Sequence, residues 1–92
     1  MNTLRHVQQR YEDAQQLYQH CIDVTEKKYG KDSYELVDFL DGIMQLFELK
    51  KEFENAAAVC ERSLAIYRAN LPDGHQLIKN AQDNYNRVKL KL

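Results

Sequence analysis

Apolar residues recur along this chain at helical spacing, and the pattern is interrupted three times. From Tyr11 to Tyr29 one stripe carries Ala14, Tyr18, Cys21, Ile22, Thr25 and Tyr29, widened by Leu17 and Val24. The opposite face holds Glu12, Gln16, Gln19, Asp23 and Glu26. Leu4 and Val7 are spaced for the face that Tyr11 joins, either as the start of this helix or as the tail of a truncated preceding one, and a first helix is predicted over about 3–29. Lys27 and Lys28 in its last turn and Gly30 after it are stop signals. Asp32 or Ser33 then caps a second helix over about 33–50, with Leu36, Leu40, Ile43 and Phe47 on its stripe. Val37, Met44 and Leu46 make that stripe wide, so the helix is expected to be flanked on more than one side. Gly42 inside it costs about 1 kcal/mol relative to Ala, which close packing or a facing groove would explain.

A charged turn at Lys50–Glu52 leads into a third helix over about 53–70, striped by Ala56, Cys60, Ser63, Leu64, Tyr67 and Leu71. Leu71-Pro72-Asp73-Gly74 breaks it. The fourth helix, about 75–91, has a narrow stripe of Ile78, Ala81, Tyr85, Val88 and Leu92 and is otherwise polar. One apolar face and one broad solvated face suit a helix that caps a stack.

Shifted by 42 residues, the chain overlays on itself. Tyr11-Glu12-Asp13-Ala14 meets Phe53-Glu54-Asn55-Ala56, and Leu17, Ile22 and Val24 meet Val59, Leu64 and Ile66. Leu36, Asp41, Ile43 and Leu46 meet Ile78, Asp83, Tyr85 and Val88. A register held over both helices of the unit is the mark of an internal repeat.

Leu40-x-x-Ile43-Met44-x-x-Phe47, followed by Phe53-x-x-Ala56 and Leu64, resembles a tetratricopeptide repeat. Gly30-x-Asp32-Ser33 is similar to the linker of the longer, 42-residue kinesin light chain subtype, and His75 stands at the His place of that linker in the second copy. The resemblance implies an all-α fold, with the single domain 1–92 built as four antiparallel helices in a short α-solenoid. Their order would be helix B, helix A, helix B and a capping helix A. The sequence departs from the family where Met44 and Asn86 replace a small residue and where Lys51 replaces the turn glycine. Somewhat splayed hairpins are the expectation.

The net charge of −1 disfavours a general nucleic-acid binder. Its distribution is uneven: Asp32, Glu35, Asp38, Asp41, Glu48 and Glu52 make the middle acidic, and Lys79, Arg87, Lys89 and Lys91 make the end basic. Cys21 and Cys60 both fall on apolar stripes, which reads as buried thiols in a reducing compartment rather than a disulfide. No run is apolar and long enough to span a membrane, and residues 1–20 lack a signal-peptide core. A cytoplasmic location is the expectation.

His6, His20 and His75 show no metal-ligand spacing, and His20 and Cys21 are about 100° apart on a helix. No phosphate-binding glycine loop is present. The chain is therefore read as a non-enzyme with no metal and no cofactor. The resemblance implies instead that helix-A residues line a face for a peptide or partner protein. Carried over, that face is Asp38, Asp41, Gln45 and Glu48 with Asn80, Asp83, Asn84 and Arg87; Gly42 and Leu49 would border it. Its carboxylates favour a basic peptide; the competing reading is that they only solvate an exposed helix. A second function is self-association or docking through an uncapped first helix, with Leu4, Val7, Tyr11 and Tyr18 in the contact and a homo-oligomer as the result.

Overall fold

The computed structural model describes residues 3–92, with side chains from Arg5 onward. Four α-helices follow one another: α1 (Thr3–Tyr29), α2 (Val37–Leu49), α3 (Phe53–Asn70) and α4 (Gln76–Lys89). A single 3₁₀ turn, Tyr34–Leu36, precedes α2. Among the described residues there is no strand. The molecule measures 51 × 33 × 18 Å, and its thin dimension fits two layers of helices. The four helices are those the stripes predict, and their all-α arrangement is consistent with the short solenoid that the resemblance implies.

Each helix end is set by local chemistry. Gly30 takes φ +98° after α1 and donates its amide to Glu26 O at 2.8 Å. Ser33 is extended, and its hydroxyl accepts from the Glu35 amide at 3.1 Å, opening the 3₁₀ turn. Ser33 therefore caps, and Asp32 does not. Forty-two residues later His75 does the same work: its Nδ1 accepts from the Leu77 amide at 3.0 Å. Two chemically different side chains thus cap equivalent helices. Pro72 holds Leu71 extended and ends α3, and Gly74 at φ +83° turns the chain back.

The α2–α3 turn uses a less favourable residue. Lys51 has φ +61°. Its amide donates to Glu48 O at 3.0 Å, and the Glu52 amide donates to Phe47 O at 2.8 Å. That pair of bonds is a Schellman closure, whose left-handed position Gly usually fills. Lys50 braces it from the side. Its Nζ lies 2.7 Å from Glu12, 2.7 Å from Gln15 Oε1 and 3.1 Å from Glu52, which ties the turn to α1.

The core runs through the middle of the stack. Ile22 of α1, Leu36, Val37, Leu40 and Ile43 around α2, Leu64, Ile66 and Tyr67 of α3, and Ile78 and Ala81 of α4 form one buried cluster. A second joins Met44, Ala56, Ala57, Cys60 and Val88. Met44, bulkier than the resemblance favours, is 4 % exposed and packs with Ala56 and Ala57, so the space comes from the alanines of α3. Gly42 is also accounted for. A Cβ there would lie 2.5 Å from the Tyr18 ring, so the missing side chain lets α1 rest on α2.

Several stripe positions behave differently from the expectation. Leu17, Val24 and Tyr29 are exposed, because α1 packs against α2 through Ile22 and Tyr18 and turns Leu17 and Val24 outward. Leu92 is exposed beyond the end of α4. The second helix begins as a 3₁₀ turn at Tyr34 and the fourth closes at Lys89.

Candidate interaction face

The second and fourth helices stand side by side across α3, each at the helix-A place. At their N-terminal ends, Tyr34, Glu35, Val37, Asp38 and Asp41 face Tyr67 and Leu77 around an open cleft of about 450 Å³. The Tyr34 and Tyr67 rings meet edge to face with centroids 5.7 Å apart. Tyr67 donates its hydroxyl to Asp41 Oδ2 at 3.0 Å, fixing the carboxylate on one wall. Asp38 is exposed.

This environment perturbs the acid. Burial pushes the Asp41 carboxyl above its ordinary value and nearby Asp38 adds to the rise, while the Tyr67 hydrogen bond opposes it. Burial also raises the Tyr67 phenol, with the Asp41 charge adding to the effect. The cleft thus combines apolar and aromatic walls with three carboxylates, Glu35, Asp38 and Asp41, the last of them partly withdrawn from water.

The C-terminal ends of the same helices behave differently. Glu48 and Arg87 form a forked ion pair between α2 and α4, and Arg87 Nη2 also donates to Asn84 Oδ1 at 3.3 Å. The Glu48 charge is therefore answered within the molecule. Beneath it, burial pushes the Cys60 thiol up to about 11, which keeps it protonated and unreactive at neutral pH.

Of the eight expected face residues, the fold brings Asp38 and Asp41 into the cleft and joins Glu48, Asn84 and Arg87 to each other. Gln45 and Asp83 are exposed, and Asn80 accepts from Gln76 at 2.9 Å. None of these three borders the cleft. Gly42 lies under Tyr18 rather than on this face. Tyr34, Glu35, Val37, Tyr67 and Leu77 complete the cleft without having been expected there. Tyr67 reads from sequence as a core position, and only its hydroxyl carries it to the rim.

The expected self-association residues are also placed differently. Leu4 lies outside the described side chains. Val7 and Tyr11 are half-buried along a groove of about 530 Å³ that α1 forms with Leu49 and the Lys50–Glu52 turn. Tyr18 is half-buried over Gly42.

Among the described residues no group of three or more His, Cys, Asp and Glu side chains is placed to hold a metal, and no helix is long and apolar enough to cross a membrane. The tetratricopeptide repeat family model matches residues 6–35, which are most of α1, the linker and the start of the 3₁₀ turn. The matched stretch, less than half of the chain, is thus similar to a tetratricopeptide repeat. Comparison with curated proteins and with solved structures returns no match. Tetratricopeptide repeats generally mediate protein–protein interaction, and they are non-catalytic modules.

Proposed function

We propose that this chain is a cytoplasmic tetratricopeptide repeat adaptor that holds a basic peptide segment along the α2–α4 face, with one Lys or Arg side chain seated in the cleft. The cleft itself is the observation that carries this reading. Its carboxylates, Asp38 and Asp41 with Glu35 beside them, suit an ammonium or guanidinium group, and Tyr34, Val37 and Leu77 suit the aliphatic stem behind it. The Glu48–Arg87 pair leaves these two acids as the main negative groups of the expected set on α2. The free thiols of Cys21 and Cys60 fit a reducing compartment. The matched capping roles of Ser33 and His75 support a repeat of the 42-residue kinesin light chain kind.

Fluorescence anisotropy with a labelled Lys-containing peptide tests the proposal. Binding should weaken with added salt, and Asp38→Lys or Asp41→Lys should weaken it at least tenfold, about 1.4 kcal/mol. Affinity should also fall as pH drops through the raised Asp41 value, where that carboxyl takes up a proton and loses its charge. Equal binding of a neutral peptide, or indifference to both charge reversals, would exclude the cleft as the recognition site.

A further inference from the structure

The outer side of α1 carries a second apolar line. Ala14, Leu17, Cys21 and Val24 follow at alternating steps of three and four residues, the spacing of a helix-pairing seam. Leu17 is 66 % exposed and Val24 50 %. The 42-residue register shows what such a line is made for. Its counterparts in α3 are Ala56, Val59, Ser63 and Ile66; Ala56 is fully buried, and Ser63 and Ile66 are nearly so. In α1 the same line is open at Leu17 and Val24, while Ala14 and Cys21 are half-buried.

Two features identify the occupant. Head-to-tail stacking would bring the α4 of another copy onto this line. That helix has Gln82, Tyr85, Asn86 and Lys89 where α2 offers Leu40, Ile43, Met44 and Phe47, so it is poorly made for the contact. Along one edge of the line, Asp13, His20 and Lys27 recur every seventh residue. An antiparallel second α1 sets Asp13 against Lys27 twice, with His20 near the two-fold axis. A parallel one sets that edge against the opposite edge, where Tyr18 and Thr25 stand, and forms no such charge pair. We propose that the Ala14–Val24 line of α1 closes on the same line of a second copy, as an antiparallel two-fold pair stabilised by Asp13–Lys27 contacts. The patch is one helix wide, so the dimer is weak and concentration-dependent.

Sedimentation equilibrium over a series of concentrations reads this directly. The wild-type chain should pass from monomer to dimer, and Leu17→Lys should weaken the association at least tenfold. Leu17 is exposed in the monomer, so its circular dichroism should be unchanged. Asp13→Lys and Lys27→Asp should each weaken the dimer, and the two together should restore it, because the reversed charges again face each other. A chain that stays monomeric at every concentration overturns the proposal and leaves the line to a different protein. So does a dimer indifferent to Leu17→Lys, or a charge-swapped pair that fails to recover.

Discussion

Ile66 of α3 is 2 % exposed, whereas Val24, its counterpart 42 residues earlier in α1, is 50 % exposed. The two helices carry nearly the same apolar pattern, yet α3 is held between α2 and α4 while α1 rests on α2. The contrast extends to their beginnings. Lys50, Lys51 and Glu52 form the turn before α3, but the matching residues Gln8, Gln9 and Arg10 continue α1 as helix. Neither triplet contains a residue that demands a turn. The difference between α1 and α3 therefore lies in what surrounds each helix rather than in its own sequence.

Truncation at the paired positions should show the contrast at its largest. Ile66→Ala should cost about 2–5 kcal/mol, as for deleting a buried branched side chain. Val24→Ala should stay within about 0.5 kcal/mol, as for an exposed site. Urea unfolding of the two variants measures the gap, and equal losses would mean that α1 is covered in solution.

A smaller effect probes the contact that seats α1. In Gly42→Ala the new methyl meets the Tyr18 ring, and the resulting overpacking, about 1–3 kcal/mol, should outweigh the roughly 1 kcal/mol gained in helix propensity. Hydrogen exchange should rise in α1 first. In a Tyr18→Leu background the same substitution should become stabilising.

Glycine placed at equivalent positions should then act with opposite sign. Lys51→Gly relieves a left-handed backbone and should stabilise by about 1 kcal/mol. Gln9→Gly sits inside α1 and should destabilise by about 1 kcal/mol, less where the helix end frays. Thermal unfolding of both proteins would show whether the turn is a property of the position or of its surroundings.

The smallest effect separates the interfaces by pH. Asp41 bonds Tyr67 of α3, while the α1 counterpart of Tyr67 is Thr25. The folded state raises the Asp41 pKa, so the ionised group opposes folding at neutral pH. That opposition fades as pH falls through the raised value toward 3.8. Asp41→Asn should therefore be more stable than wild type at pH 7, with the advantage shrinking on acidification. An advantage independent of pH would place its origin elsewhere.

Helix number, order and approximate ends were legible because stripe spacing, Gly30, Ser33 and the Leu71–Gly74 break all act locally. The 42-residue register was legible too, and it reappears in the matched caps at Ser33 and His75. What escaped was directional. Leu17 and Ile22 both belong to a broad apolar band, and only the position of α2 decides which is covered. On the candidate face, Asp38 and Asp41 share the cleft, but the withdrawal of Glu48 into a pair with Arg87 joins residues 39 positions apart. The aromatic wall was hidden because Tyr67 carries a core ring and a surface hydroxyl at once.

The consecutive packing of the helices has a consequence for how the chain comes apart. The main interfaces join sequence neighbours, α1 with α2, α2 with α3 and α3 with α4. Such a molecule behaves as a row of coupled segments and can open from an end without melting the middle. The α1 end is held by Ile22, by Tyr18 on Gly42, and by two polar straps, Lys50 to Glu12 and Arg62 to Glu26. Both straps weaken with salt. In a protease assay the first cuts should therefore fall in α1 and come sooner at high ionic strength, while the α2–α4 unit and its acidic cleft stay intact.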